Sequence, residues 1–124
     1  MANVLLVEDE ADVRALIEDA MQDCGLGVRS AASDAAAYAI LEKEAPSFDL
    51  LVADINLGQG TTGFDVARRA RALNPDLRVI YITGHAAHLG KFGVEGAEMF
   101  PKPFNPRELA QRAVSVIAGA PGDS

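Results

Sequence analysis

The chain is short of several things, and each shortage removes a class of explanation. It has one cysteine, Cys24, among 124 residues, so neither an internal disulfide nor a cysteine-rich metal site can form. Basic residues are outnumbered, 11 Lys and Arg against 18 Asp and Glu, which leaves a net charge of −7. Neutralising phosphates takes clustered Lys and Arg, so no nucleic-acid partner is expected. No apolar run approaches the ~20 residues that cross a bilayer. No basic segment precedes the first apolar run, "VLLV", so no secretory signal and no membrane association are expected. The chain reads as cytoplasmic. A nucleotide binder is a lesser reading.

What is present is ordinary globular material: 49% of the residues are apolar and 23% charged, enough for one domain with a real core. Strand-like and helix-like segments alternate. After "NVLLV" comes "EADVRALIEDAMQDCG", where Val13, Leu16, Ile17, Ala20, Met21 and Cys24 recur at helical spacing, and Gly25 stands where a helix C-terminal glycine belongs. On that spacing Cys24 is a packing residue. "GVRSAA" is a short strand, and Ser33 caps a helix through "DAAAYAILEKEA", stopped by Pro46. "FDLLVAD" is a continuous apolar run and hence a central strand ending at Asp54. "FDVARRARAL" turns Val66, Ala67, Ala70 and Leu73 to one side, and Asn74-Pro75 ends it. "LRVIYIT" is a strand ending at Thr83, and the glycine-broken "GHAAHLGKFGVEGA" is a weak helix. "AEMF" is a short strand, followed by a helix with Asn105 as cap and Pro106 in its first turn. The domain is expected over residues 1–119, with 120–124 as a short flexible tail. "MAN" directly before the first strand looks like a native start.

Five strands, each followed by a helix, imply a doubly wound α/β fold: a flavodoxin-like parallel sheet of order 2-1-3-4-5 with helices on both faces. Ligands then bind at the carboxyl ends of the strands beside the switch between the first and third. Glu8 and Asp9 end the first strand and Asp54 the third, so three carboxylates are expected in one crevice. Left alone they repel one another and raise one another's pKa values. A divalent cation removes the conflict. With oxygen ligands only, Mg²⁺ fits best, because it accepts few carboxylates and keeps waters that a phosphate can replace. Thr83 and Lys102, after the fourth and fifth strands, would face the same crevice. A carboxylate nucleophile, a cation, a hydroxyl and an ammonium are the parts that receive a phosphoryl group.

At this point the sequence resembles the response-regulator receiver domain of two-component signalling, of the single-domain, chemotaxis-regulator-like kind. The resemblance spans essentially the whole chain and rests on "VEDE", "DINL", "GFDVA", "YITG" and "KPF" in that order. Each motif is weak alone; the five together are specific. The resemblance implies that Asp54 is the phosphoacceptor for a phosphohistidine of a sensor histidine kinase or histidine phosphotransfer protein. Asp9, Asp54 and the backbone carbonyl of Asn56 would bind Mg²⁺, with Glu8 acting mainly through a metal-bound water. Lys102 would pair with Asp54 at rest and with the phosphoryl oxygen afterwards, and Thr83 would turn its hydroxyl onto that group. The Lys102–Pro103 bond would be cis. Output would be a switch in binding a downstream protein, or relay of the phosphate, with no turnover beyond the domain's own phosphorylation and dephosphorylation.

The sequence departs from the family pattern in three places. The loop after Asp54, "NLGQGTTG", lacks the usual proline and is one residue longer. Met99 stands where many receivers carry Tyr or Phe, and Phe100 points to the opposite face. Pro101 lies next to the end of the fifth strand, which an edge strand tolerates. Plainer readings also have their place. Glu10 reads as the start of a helix, where carboxylates favour the dipole. "RRARAL" is a solvated helix face, and His85 and His88 are surface residues, His85 bordering the phosphate. The competing enzyme is a Mg²⁺-dependent aspartate phosphatase of the haloacid dehalogenase type. It puts its nucleophile on the first strand and a second Asp two residues later, where this chain has Asn56.

Overall fold

The computed structural model describes residues 2–55, 63–83 and 94–119. Among these, five strands form one parallel sheet: β1 (Asn3–Val7), β2 (Gly27–Ala31), β3 (Leu50–Asp54), β4 (Arg78–Thr83) and β5 (Glu98–Pro101). Their order is β2-β1-β3-β4-β5, the doubly wound order expected. Four α-helices are described: α1 (Ala11–Asp23), α2 (Asp34–Glu44), α3 (Gly63–Leu73) and α4 (Pro106–Ile117), with a short 3-10 turn at Ala45–Ser47 after α2. The expected weak helix after Thr83 falls mostly within 84–93, and the expected tail is 120–124. Both lie outside the described residues.

The strands read as unbroken apolar runs because both faces of the sheet are covered. Leu5, Val7, Leu51, Ala53, Val79 and Tyr81 point to one face, where they meet α2 and α3. Val4, Leu6, Leu50, Val52, Ile80 and Ile82 point to the other, against α1 and α4. Alternation at period 2 sorts each strand between the two cores. It also separates Met99, which packs with Tyr81 and the α3 side, from Phe100, which packs edge-on against Phe104 on the α4 side.

Local chemistry sets several helix boundaries. The Ser33 side chain accepts the Ala36 N–H at 3.1 Å, and Asn105 Oδ1 accepts the Arg107 N–H at 2.8 Å. These are N-caps that satisfy otherwise orphaned donors. Gly25 takes φ +85° after α1, and Leu26 N–H reaches back to Met21 C=O at 3.1 Å. That left-handed turn sends the chain into β2. Two expectations for α1 fail. Cys24 is exposed, and Leu16 is 57% exposed. Of the six residues at helical spacing, only Ile17 and Met21 are buried. The contact with the sheet and α4 is narrower than the stripe, and the residues on its margins face solvent.

Gly63 opens α3 directly against the end of β3. A Cβ there would lie 2.5 Å from the backbone oxygen of Asp54. Only a hydrogen fits, so this glycine is required by close approach rather than by its dihedral angles. Phe64 follows and meets Tyr81 edge-on at 4.8 Å, and the buried Tyr81 hydroxyl accepts the Val94 N–H at 3.0 Å. Gly63→Ala is expected to destabilise the fold by ~1–3 kcal/mol, the usual range for overpacking, and to shift the amide resonances of Asp54 and Ile55. Chemical denaturation and a backbone NMR spectrum check both.

Candidate functional site

The carboxyl ends of β1, β3, β4 and β5 converge at one edge of the sheet. Strand register places Asp54 opposite Ile82 and Thr83 opposite Pro101. The chain leaves β5 through the Lys102 N–H, which donates to Thr83 C=O at 2.9 Å. The Lys102–Pro103 bond is cis. The Lys102 ammonium sits 2.6 Å from Asp54 Oδ2, joining residues 48 positions apart. Asp54 is 2% exposed, and so is Thr83. Burial works against the Lys102 charge, but the hydrogen bond and charge of Asp54, helped by Glu8 and Glu10, outweigh it and raise the lysine pKa.

Beyond β1 the chain makes a tight acidic turn. Carboxylate oxygens of Glu8, Asp9 and Glu10 lie within 4.8 Å of one another. Glu8 is buried and faces the site, whereas Asp9 and Glu10 are exposed. Glu8 Oε1 accepts the Glu10 N–H at 3.1 Å, while Oε2 is buried with no hydrogen-bond partner among the described residues. Its pKa is pushed up to about 7. Burial is the main cause, and the charge of Asp54 and a side-chain hydrogen bond with Asp9 add to it against the lowering effects of the Glu10 N–H and Lys102.

Five of the sequence candidates therefore stand at this edge: Glu8, Asp9, Asp54, Thr83 and Lys102. Asn56 lies outside the described residues, as do His85 and His88. The grouping differs in detail from the one expected. The compact acid group is Glu8, Asp9 and Glu10. Asp54 stands beside it, close enough to act on Glu8 electrostatically and held by Lys102. Glu10, read from the sequence as a helix start, does precede α1, but its side chain makes no cap hydrogen bond and joins the acids instead. The donor set suits a hard cation. It is all oxygen and strongly anionic, with one buried oxygen lacking a partner. Next to the acids runs an open groove of about 460 Å³. Glu8 and Lys102 border it at one end, and Val13, Leu16, Phe104 and Pro106 form its apolar part.

A doubly wound parallel sheet with buried acids and a lysine at the carboxyl ends beside its switch point defines a class of α/β site protein. The particular family is also clear. The chain belongs to the response regulator receiver domain family, whose family model matches residues 4–114. It is 32% identical over 123 residues to the response regulator receiver protein CpdR of Brucella abortus, covering 97% of this chain and 100% of that one. It is 35% identical over 127 residues to the phosphate regulon transcriptional regulatory protein PhoB of Pseudomonas aeruginosa, covering 98% of this chain and 54% of that one. Among solved structures, a response regulator receiver protein from Sinorhizobium medicae superimposes with a TM-score of 0.87 at 29% identity, over 97% of each chain. The haloacid dehalogenase alternative finds no support in these relatives, and the aspartate paired with Lys102 is on β3 rather than β1.

The raised pKa of Glu8 has a consequence for the metal-free protein. A carboxyl that holds its proton to about pH 7 when folded, and only to 4.5 otherwise, binds more protons in the native state between those values. Stability then falls as pH rises through that window, by roughly 1–3 kcal/mol, and the penalty persists above it. Glu8→Gln is expected to flatten this part of the profile and to stabilise the metal-free protein more at pH 8 than at pH 5. Urea unfolding at the two pH values measures the difference.

Proposed function

We propose that this receiver domain takes a phosphoryl group onto Asp54 from the phosphohistidine of a sensor histidine kinase or histidine phosphotransfer protein, and thereby switches its binding to a downstream protein or passes the phosphate on. The observation that carries this reading is the 2.6 Å pair of Asp54 and Lys102 beside the acidic turn of Glu8, Asp9 and Glu10. Glu8, Asp9 and Asp54, with the Asn56 carbonyl, would hold Mg²⁺, which when bound supplies charge neutralisation for the incoming phosphoryl oxygens. An Asp54 oxygen forms the new O–P bond while the N–P bond breaks, and the bonding pair returns to the donor imidazole. Lys102 is already in reach of Asp54 and offers its ammonium to the phosphoryl oxygens. Thr83 supplies a hydroxyl at the end of the adjacent strand and reports occupancy of the site. The domain turns over nothing but its own phosphoryl group, in a cytoplasmic setting, and residues 1–119 constitute the working unit.

Asp54→Asn is expected to abolish labelling by acetyl phosphate, because an amide is not a nucleophile. Lys102→Ala is expected to retain the fold and to lower the phosphorylation-dependent gain in partner affinity. Intact-mass measurement of the Asp54→Asn protein decides the first point. A persistent base-labile gain of one phosphoryl group would move the acceptor elsewhere.

The groove beside the acids gives the donor a place to rest. Leu16 is 57% exposed, and with Val13, Phe104 and Pro106 it presents apolar surface next to Lys102. A donor protein whose phosphohistidine must reach the buried Asp54 has to cover this surface. Leu16→Ala is expected to slow transfer from a phosphorylated histidine protein by roughly 3–10-fold, the effect of losing a modest interface anchor. Labelling by acetyl phosphate, which needs no docking, is expected to be unchanged. Parallel transfer assays with the two donors test this.

A further inference from the structure

The acidic turn carries three like charges within three residues, yet it makes no helix cap of its own and lies outside β1. Something else has to hold it in place. Four hydrogen bonds to its main chain are present. The Glu8 N–H donates to Ala31 C=O at 3.0 Å, tying the turn to the end of β2, and the Glu10 N–H donates to Glu8 Oε1 at 3.1 Å. The third comes from α1: the Arg14 guanidinium donates to Glu8 C=O at 2.9 Å. Arg14 grips the turn a second time, because its own N–H donates to Glu10 C=O at 2.9 Å, the first hydrogen bond of the helix. Arg14 thus brackets the turn, with its half-buried side chain on Glu8 C=O and its backbone N–H on Glu10 C=O, and only the side-chain contact is particular to arginine.

From this bracket we infer that Arg14 is a positioning residue for the cation site, acting on the backbone of the turn rather than on the cation. This inference rests on the reading of the acids as a cation site. Two physical effects of Arg14 have opposite signs, which makes the claim sharp. As a positive charge near the acids, Arg14 disfavours a second cation, so neutralising it should tighten binding by Coulomb's law. As a strut, it keeps Glu8 and Asp9 placed for a small ion that tolerates little distortion of its ligands, so removing it should loosen binding. A guanidinium suits the second role because its charge-assisted bond to a carbonyl is stronger than a neutral one. Its planar fork also loses less freedom on binding than a lysine stem does.

The experiment is a Mg²⁺ titration of the full chain, followed by calorimetry and by amide resonances. Arg14→Ala is expected to weaken Mg²⁺ binding by about tenfold, the low end of what losing a residue that orients metal ligands costs. Arg14→Lys, which keeps the charge and one donor, is expected to restore most of it. Unchanged or tighter binding by Arg14→Ala would overturn the inference and leave Arg14 as a mere nearby charge. A second measurement needs no metal. Hydrogen exchange at the Glu10 amide, which bonds Glu8 Oε1, should quicken in metal-free Arg14→Ala and return toward normal in Arg14→Lys. An unchanged rate there also overturns it. If the wild-type protein shows no saturable Mg²⁺ binding, the cation reading itself fails, whereas the Glu10 exchange rate still reports on the strut.

Discussion

Asp54 closes a strand in which every residue is buried, and a carboxyl group in that position needs a partner to offset its lost hydration. The ammonium of Lys102 meets that need at 2.6 Å, across the end of β4. Much of the architecture serves the contact. The order β3-β4-β5 sets the spacing between the two residues. The Lys102 N–H on Thr83 C=O fixes where the chain leaves β5, and Gly63 lets α3 begin hard against the Asp54 carbonyl.

Glu8 is treated differently, and the contrast gives the site its character. Both acids are buried at strand ends, but Glu8 has an oxygen with no hydrogen-bond partner among the described residues and a pKa lifted to about 7. The resting domain therefore combines one carboxyl paired directly with an ammonium and one held only by a backbone N–H and the more distant charge of Lys102. Local instability of this kind is characteristic of sites that wait for a ligand. The ion that best answers it is a hard divalent cation, since it supplies charge to the acids while leaving coordination positions for phosphoryl oxygens.

The two faces of the sheet differ beside the site. On the α2 and α3 face, Gly63, Phe64, Tyr81 and Val94 form a continuous set of contacts from the Asp54 backbone to the chain entering β5. Met99 pairs in register with Tyr81 and packs against the same cluster, so the polar aromatic group there stands on β4 rather than β5. The α1 and α4 face instead leaves Leu16 in solvent beside the groove.

Much of this was legible in the residues themselves. Buried parallel strands are apolar without interruption, so "VLLV", "LLVAD" and "VIYIT" announced β1, β3 and β4, and Ser33, Asn105 and Gly25 marked helix ends because capping is local chemistry. The acids and the lysine were visible as strand-end residues once the doubly wound order was assumed. Other features depend on contacts between segments distant in the chain, and a linear pattern does not carry them. Helical periodicity put Leu16 and Cys24 in the core, but the width of the buried stripe is set by how α1 sits on the sheet and α4. Glu10 looked like an ordinary helix start until the turn folded its carboxylate among those of Glu8 and Asp9. Arg14 carried no signal at all, because a cation in the first helical turn after an acid run is commonplace. Its meaning comes from reaching back to Glu8 C=O. Residue types and periods determined which groups arrive at the carboxyl edge. Tertiary packing decided which acid found a cation, which was left without one, and what holds the turn between them, because desolvation and hydrogen-bond geometry depend on neighbours in space.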